Sequence, residues 1–144
     1  MMLRALYDVN MLIALFDPLH ARHTTAHVWH SANGQHGRAS CPLTQNGLIR
    51  IMAQPRYASP QPLASMLHVV RELSGDAAHT FWPDDVSLAA VGILAPQFAL
   101  TSGMLIDVYL RALAIKHEGR LVTLDSKIDR GAVVGATTTH LVTL

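Results

Sequence analysis

A single cysteine, Cys41, among 144 residues excludes an internal disulfide framework and any metal centre built on several thiolates. Its neighbours Ala39, Pro42 and Leu43 are small or apolar, so it is expected to be a buried residue of the core. Charge is also scarce. Only 15% of the residues are Asp, Glu, Lys or Arg, and the basic residues outnumber the acidic ones by 11 to 10. A formal net charge of +1 supplies no global positive field, so any nucleic-acid partner must be held by a local arrangement of cations and metal. Asp8 and Asn10 interrupt the opening apolar stretch, which argues against a leader peptide, and no run approaches the ~20 apolar residues needed to cross a bilayer. A cytoplasmic protein without a membrane partner is expected. Half of the residues are hydrophobic, which excludes intrinsic disorder. Internal repeats, low-complexity tracts and linker-like boundaries are absent, so residues 1–144 are expected to form one domain.

The hydrophobic patterning alternates strands and helices. Strands are expected at Leu3–Tyr7, Gly37–Cys41, His79–Trp82, Leu121–Leu124 and His140–Val142. Helices are expected at Asn10–Phe16, His20–Asn33, Leu63–Leu73, Val86–Leu94 and Leu105–His117, with a further one capped by Thr44 and running to Ala53. Asp17-Pro18 and Asn33-Gly34 are stop signals, and Asp84 or Asp85 is the expected cap of the helix from Val86. The three prolines between Pro55 and Pro62 mark a loop. This order implies an α/β fold, a three-layer α/β/α arrangement around a mostly parallel sheet.

Three aspartates stand where packing alone does not require an acid. Asp8 ends the first strand, Asp125 ends the run Leu121–Leu124, and Asp107 lies near the start of the helix leading into that run. Strand ends at the carboxyl edge of a parallel sheet are where such folds bind ligands. Each acid has a simpler role open to it: Asp8 and Asp125 as caps, Asp107 as a complement to the helix dipole. If the three converge, a cation must relieve their repulsion. An all-oxygen donor set selects a hard ion such as Mg²⁺ or Mn²⁺, which activates water against a phosphate ester. Asn10 is either a helix cap or a ligand to a metal-bound water. Thr123 faces the same side of its strand as Asp125 and so can support the site. Arg50, four residues after Asn46 on one helix, is a candidate phosphate contact or a surface ion pair, and Lys127 a second phosphate contact or part of a solvated turn.

Tyr7-Asp8-Val9-Asn10-Met11-Leu12-Ile13-Ala14 resembles the opening of the PIN-domain nucleases. The run Cys41-Pro42-Leu43-Thr44-Gln45-Asn46-Gly47-Leu48-Ile49-Arg50 is similar to their second motif. Phe81 to Asp85, Asp107 and Leu121 to Asp125 follow in matching order. The subgroup resembled is that of the VapC-like toxins of bacterial toxin–antitoxin pairs, and the likeness covers nearly the whole chain. It implies a metal-dependent endoribonuclease whose ion is held by Asp8, Asp107 and Asp125. It also implies an RNA substrate, a cognate antitoxin protein and a homodimer. Gln45 departs from the pattern, which commonly has Glu after Thr44. A glutamine offers an amide oxygen but no charge and no carboxylate base. Asp129 is a candidate replacement acid. The alternative is a catalytically impaired PIN domain that binds RNA or protein without cutting.

Nine histidines are the most unusual compositional feature. His20, His23, His27 and His30 recur at helical spacing, a pattern that either chelates Zn²⁺ or decorates an amphipathic surface. His36, His68 and His117 are expected to be solvated. Val28, Trp29 and Ala32, together with Leu63, Met66, Leu67 and Val70, supply apolar surface for the core or for a partner.

Overall fold

A computed structural model describes residues 2–126 and 131–144. Lys127 and Asp129, two of the expected site residues, lie outside the described residues. Five parallel strands form one sheet in the order β3-β2-β1-β4-β5. The strands are β1 (Ala5–Tyr7), β2 (Arg38–Ser40), β3 (His79–Phe81), β4 (Arg120–Thr123) and β5 (Leu141–Thr143). The helices are α1 (Val9–Phe16), α2 (His23–Asn33), α3 (Pro42–Ala53), α4 (Leu63–Gly75) and α5 (Leu105–Lys116).

Every residue of β1 is buried, as expected of a parallel strand covered on both faces. Ala5 and Tyr7 face one core with Val122 and the apolar sides of α1, α3 and α4. Leu6 and Leu121 face a second core with Ala39, Cys41, Trp82 and the α5 residues Leu110 and Leu113. The period-two alternation of β1 and β4 thus divides the helices into two layers. The result is the α/β/α sandwich read from the sequence. The chain leaves β1 toward β2 on one side and returns to β4 on the other. The β1–β4 boundary is therefore the point where strand order reverses, the place at which open α/β sheets bind ligands.

The helical assignment of Val86–Leu94 is not met. The segment is a series of turns, closed by an antiparallel bridge between Leu94 and Val133. Gly92 at φ +90° cannot continue a helix, while Val86, Leu88, Ile93 and Leu94 pack against Val108, Ala112, Ala132 and Val133. Asp84 and Asp85 consequently cap no helix beginning at Val86. Asp84 instead accepts from the Leu43 N–H in the first turn of α3 (3.0 Å) and from the Tyr109 hydroxyl (2.9 Å). Nor is Thr44 the cap of α3. Pro42 occupies the first helical position, where its missing N–H costs nothing, and Cys41 is the cap. Thr44 sits in the first turn and accepts from the Cys41 N–H at 3.1 Å.

Candidate active site

The site is built from the end of β1 outward. The backbone N–H of Asp8 donates to Val122 O at 3.1 Å, which continues the parallel β1–β4 pairing by one residue. The chain then turns into α1, with Asp8 as its N-cap: Oδ1 accepts from the Met11 N–H at 2.7 Å. Asn10, the other expected cap, is an exposed residue of the first turn. The second carboxylate oxygen, Oδ2, accepts from the Thr123 hydroxyl at 2.6 Å. Oγ1 of Thr123 in turn accepts from the Asp125 N–H at 3.0 Å. Thr123 is fully buried at the end of β4, so this short chain of bonds joins the two aspartate-bearing strand ends. Each Asp8 oxygen retains a lone pair after these bonds. Capping a helix and holding a ligand are therefore compatible for this carboxylate.

Asp107 approaches from the first turn of α5, where it complements the helix dipole. Asp8 is only 3% exposed, and burial pushes its carboxyl up from 3.8 to about 6. The bonds from Thr123 and Met11 oppose this, whereas the charges of Asp107 and Asp125 add to it. Asp107 is raised as well, first by burial and then by the Asp125 charge. All three carboxylates thus lie within electrostatic range of one another. Among the described residues, no Lys, Arg or His figures among the groups acting on Asp8 or Asp107. A cluster of carboxylates around one buried acid is a set of hard oxygen donors that a divalent ion would neutralise. Among the described residues, no three His, Cys, Asp or Glu side chains are already drawn together around an ion-sized space.

Of the supporting residues expected from the sequence, Thr123 bonds directly to Asp8. Thr44 is fully buried and bonds only to Cys41, so its role is to shape the α3 N-terminus. Gln45 turns its amide nitrogen to Ser40 Oγ at 2.9 Å and Ser74 Oγ at 3.4 Å, and Ser40 is paired in turn with His79 at 2.7 Å. Its side chain is thereby tied to β2 and α4. Arg50 is exposed and lines a cavity of about 560 Å³ with Asn10 and Asn46.

The histidine stripe does not form a metal site. His20 precedes α2, and its Nδ1 accepts from the Arg22 N–H at 2.9 Å. His23 pairs with Ala14 O at 2.7 Å and His30 with the Tyr7 hydroxyl at 2.8 Å. Local bonds to neighbouring groups occupy these rings. His117 is not free in solvent either: it stacks on Trp82 with ring centroids 4.8 Å apart and bonds to Asp85 at 2.9 Å. These partners lie 35 and 32 positions before it, and no local pattern in the sequence announces them.

No family model matches the chain. Individual proteins do, over its whole length. Ribonuclease VapC44 of Mycobacterium tuberculosis is 40% identical over 142 residues, which cover 99% of this chain and all of the relative. Ribonuclease VapC39 of the same organism is 37% identical, covering 91% of this chain and 95% of its own. Ribonuclease VapC29, also from M. tuberculosis, is 37% identical over 84% of this chain and 85% of its own. Full-length identity at this level, on the α/β/α sheet whose strand ends carry the matching motifs, shows that the chain belongs to the PIN-domain, VapC-like ribonucleases.

Proposed function

We propose that this protein is a Mg²⁺-dependent endoribonuclease, with Mn²⁺ an acceptable substitute, and the toxin of a toxin–antitoxin pair. The observation that carries this reading is the buried Asp8 carboxylate, which the Thr123 hydroxyl links to the Asp125 backbone at the neighbouring strand end and which lies within electrostatic range of Asp107. Asp8, Asp107 and Asp125 would hold the ion. When bound, it supplies a Lewis acid and an acidified water for attack on an RNA phosphodiester. The chain's own part is positional. Thr123 and the α1 backbone fix the Asp8 carboxylate, Thr123 ties the Asp125 backbone to it, and the first turn of α5 brings in Asp107. These bonds hold the Asp8 carboxylate in one orientation beside the Asp125 backbone.

A cognate antitoxin and a second copy of the chain are the proposed protein partners. The α2 face supports a partner surface: Val28 is exposed and, with Trp29, Ala32 and Leu144, lines a depression of about 500 Å³. The decisive assay incubates partner-free protein with structured RNA in Mg²⁺ and in EDTA. Cleavage that requires the metal and vanishes in Asp8→Asn is the expected result. Absence of cleavage by the wild type, with cleavage appearing in Gln45→Glu, would replace this reading with that of an impaired RNA- or protein-binding PIN domain.

A further inference from the structure

The cavity of about 560 Å³ beside the aspartates falls in the range of roughly 300–1,000 Å³ typical of small-ligand sites. It adjoins the aspartates through the chain itself. Asn10 lies two residues after Asp8, Ile106 immediately precedes Asp107, and both line the cavity. Val9, Leu43 and Ile106 provide apolar walls. Three polar side chains on the lining, Asn10, Asn46 and Arg50, are exposed and make no hydrogen bond or ion pair among the described residues.

Resting on the ribonuclease reading above, we propose that this cavity is the base-recognition subsite of the enzyme. It takes one unstacked nucleobase of the RNA next to the scissile phosphate. Two carboxamides, each with a donor and an acceptor, match the mixed edge of a base, and apolar walls accept its π-face. Phosphate is a poorer occupant, because the Asp84 carboxylate also lines the cavity. Both Asp84 oxygens already accept, from Leu43 N–H and Tyr109 O–H, so this acid fixes the wall in place. Arg50, four residues beyond Asn46 on α3 and without a carboxylate partner among the described residues, suits the phosphate of the adjoining nucleotide. Asn46 is the base-specifying residue and Arg50 the backbone clamp.

The test is the cleavage of a randomised single-stranded RNA pool in Mg²⁺, with the cut ends sequenced, by wild type, Asn46→Ala and Arg50→Ala. Wild type should prefer one base at one position beside the cut. In Asn46→Ala that preference should fall roughly 5- to 100-fold, the discrimination that a two-point bond to a base edge gives, mainly through slower cutting at the favoured base. Arg50→Ala should lower cleavage of all sequences alike and leave the preference intact. A uniform loss in Asn46→Ala, or an unaltered preference, overturns the assignment. So does an unaltered preference accompanied by lost inhibition by the antitoxin, which would give the cavity to the protein partner. If wild type cuts nothing, the ribonuclease reading fails separately. Selection of the same pool on immobilised wild type and Asn46→Ala in Ca²⁺ then still reads the base preference of the cavity, or its absence.

Discussion

The Asp8 carboxylate caps α1, accepts the Thr123 hydroxyl and lies buried beside two other acids. Its folded pKa of about 6 stands above the ordinary 3.8, so between these values the folded state binds more protons than the unfolded one. Its contribution to stability is therefore full below about pH 4, declines as the pH rises to about 6, and stays low above that. Asp8→Asn keeps a good helix cap while removing the buried charge. It should stabilise the ion-free protein at pH 7.5 by on the order of 1–3 kcal/mol and abolish RNA cleavage. Urea unfolding at pH 4 and 7.5 checks this, the gain being expected only at the higher pH. Thr123→Val removes a bond that holds the Asp8 pKa down. Its turnover should fall at least about tenfold, and the acid limb of its pH–rate profile should move to higher pH. Fold preserved but limb unmoved would show that Thr123 only packs. Gln45→Glu should raise the cleavage rate less than about twofold, because residue 45 is engaged with Ser40 and Ser74. It should also cost about 1 kcal/mol through the lost amide donor. The capping place of Asp8 could be read from the sequence, because an acid between an apolar strand and a helix is a local signal. The direction of Gln45 could not, because Ser74 belongs to another helix.

Strands and stop signals were legible wherever the pattern was local: an apolar run, a proline or an Asn-Gly pair. The segment Val86–Leu94 misled, because its apolar residues answer to Val108, Ala112 and Val133, which are distant in sequence. Helical spacing there reflected chance, and tertiary packing decided the conformation. The join between α5 and β4 is equally invisible to periodicity, yet it sets where Asp107 and Asp125 stand. The Gly119 N–H bonds to Ala114 O, and a Cβ at Gly119 would meet the Arg4 carbonyl oxygen at 2.7 Å and the Trp82 ring at 2.5 Å. The same Arg4 carbonyl accepts from the Arg120 N–H that opens the β1–β4 pairing. Backbone cannot yield there as a side-chain tip can. Gly119→Ala should destabilise the protein by about 1–3 kcal/mol, and chemical denaturation should show it as a lower midpoint at unchanged slope.

For the molecule as a whole, the α/β/α layering follows from alternating Ala5, Leu6 and Tyr7 with Leu121 and Val122. The reversal of strand order at β1 sets the carboxyl ends of β1 and β4, which lead into Asp8 and Asp125, side by side. No helix among the described residues is long and apolar enough to cross a membrane. The exposed α2 residues around Val28 line a depression with Leu144 that packing within one chain does not fill. The central claim is that three carboxylates from β1, β4 and α5 act as one ion-binding unit. Calorimetric titration of Mg²⁺ at pH 7.5 into wild type, Asp8→Asn, Asp107→Asn and Asp125→Asn tests it most directly. Saturable binding by wild type, weakened at least about tenfold by each substitution, is the predicted result. Binding left intact by all three substitutions, or no binding by wild type, would contradict it.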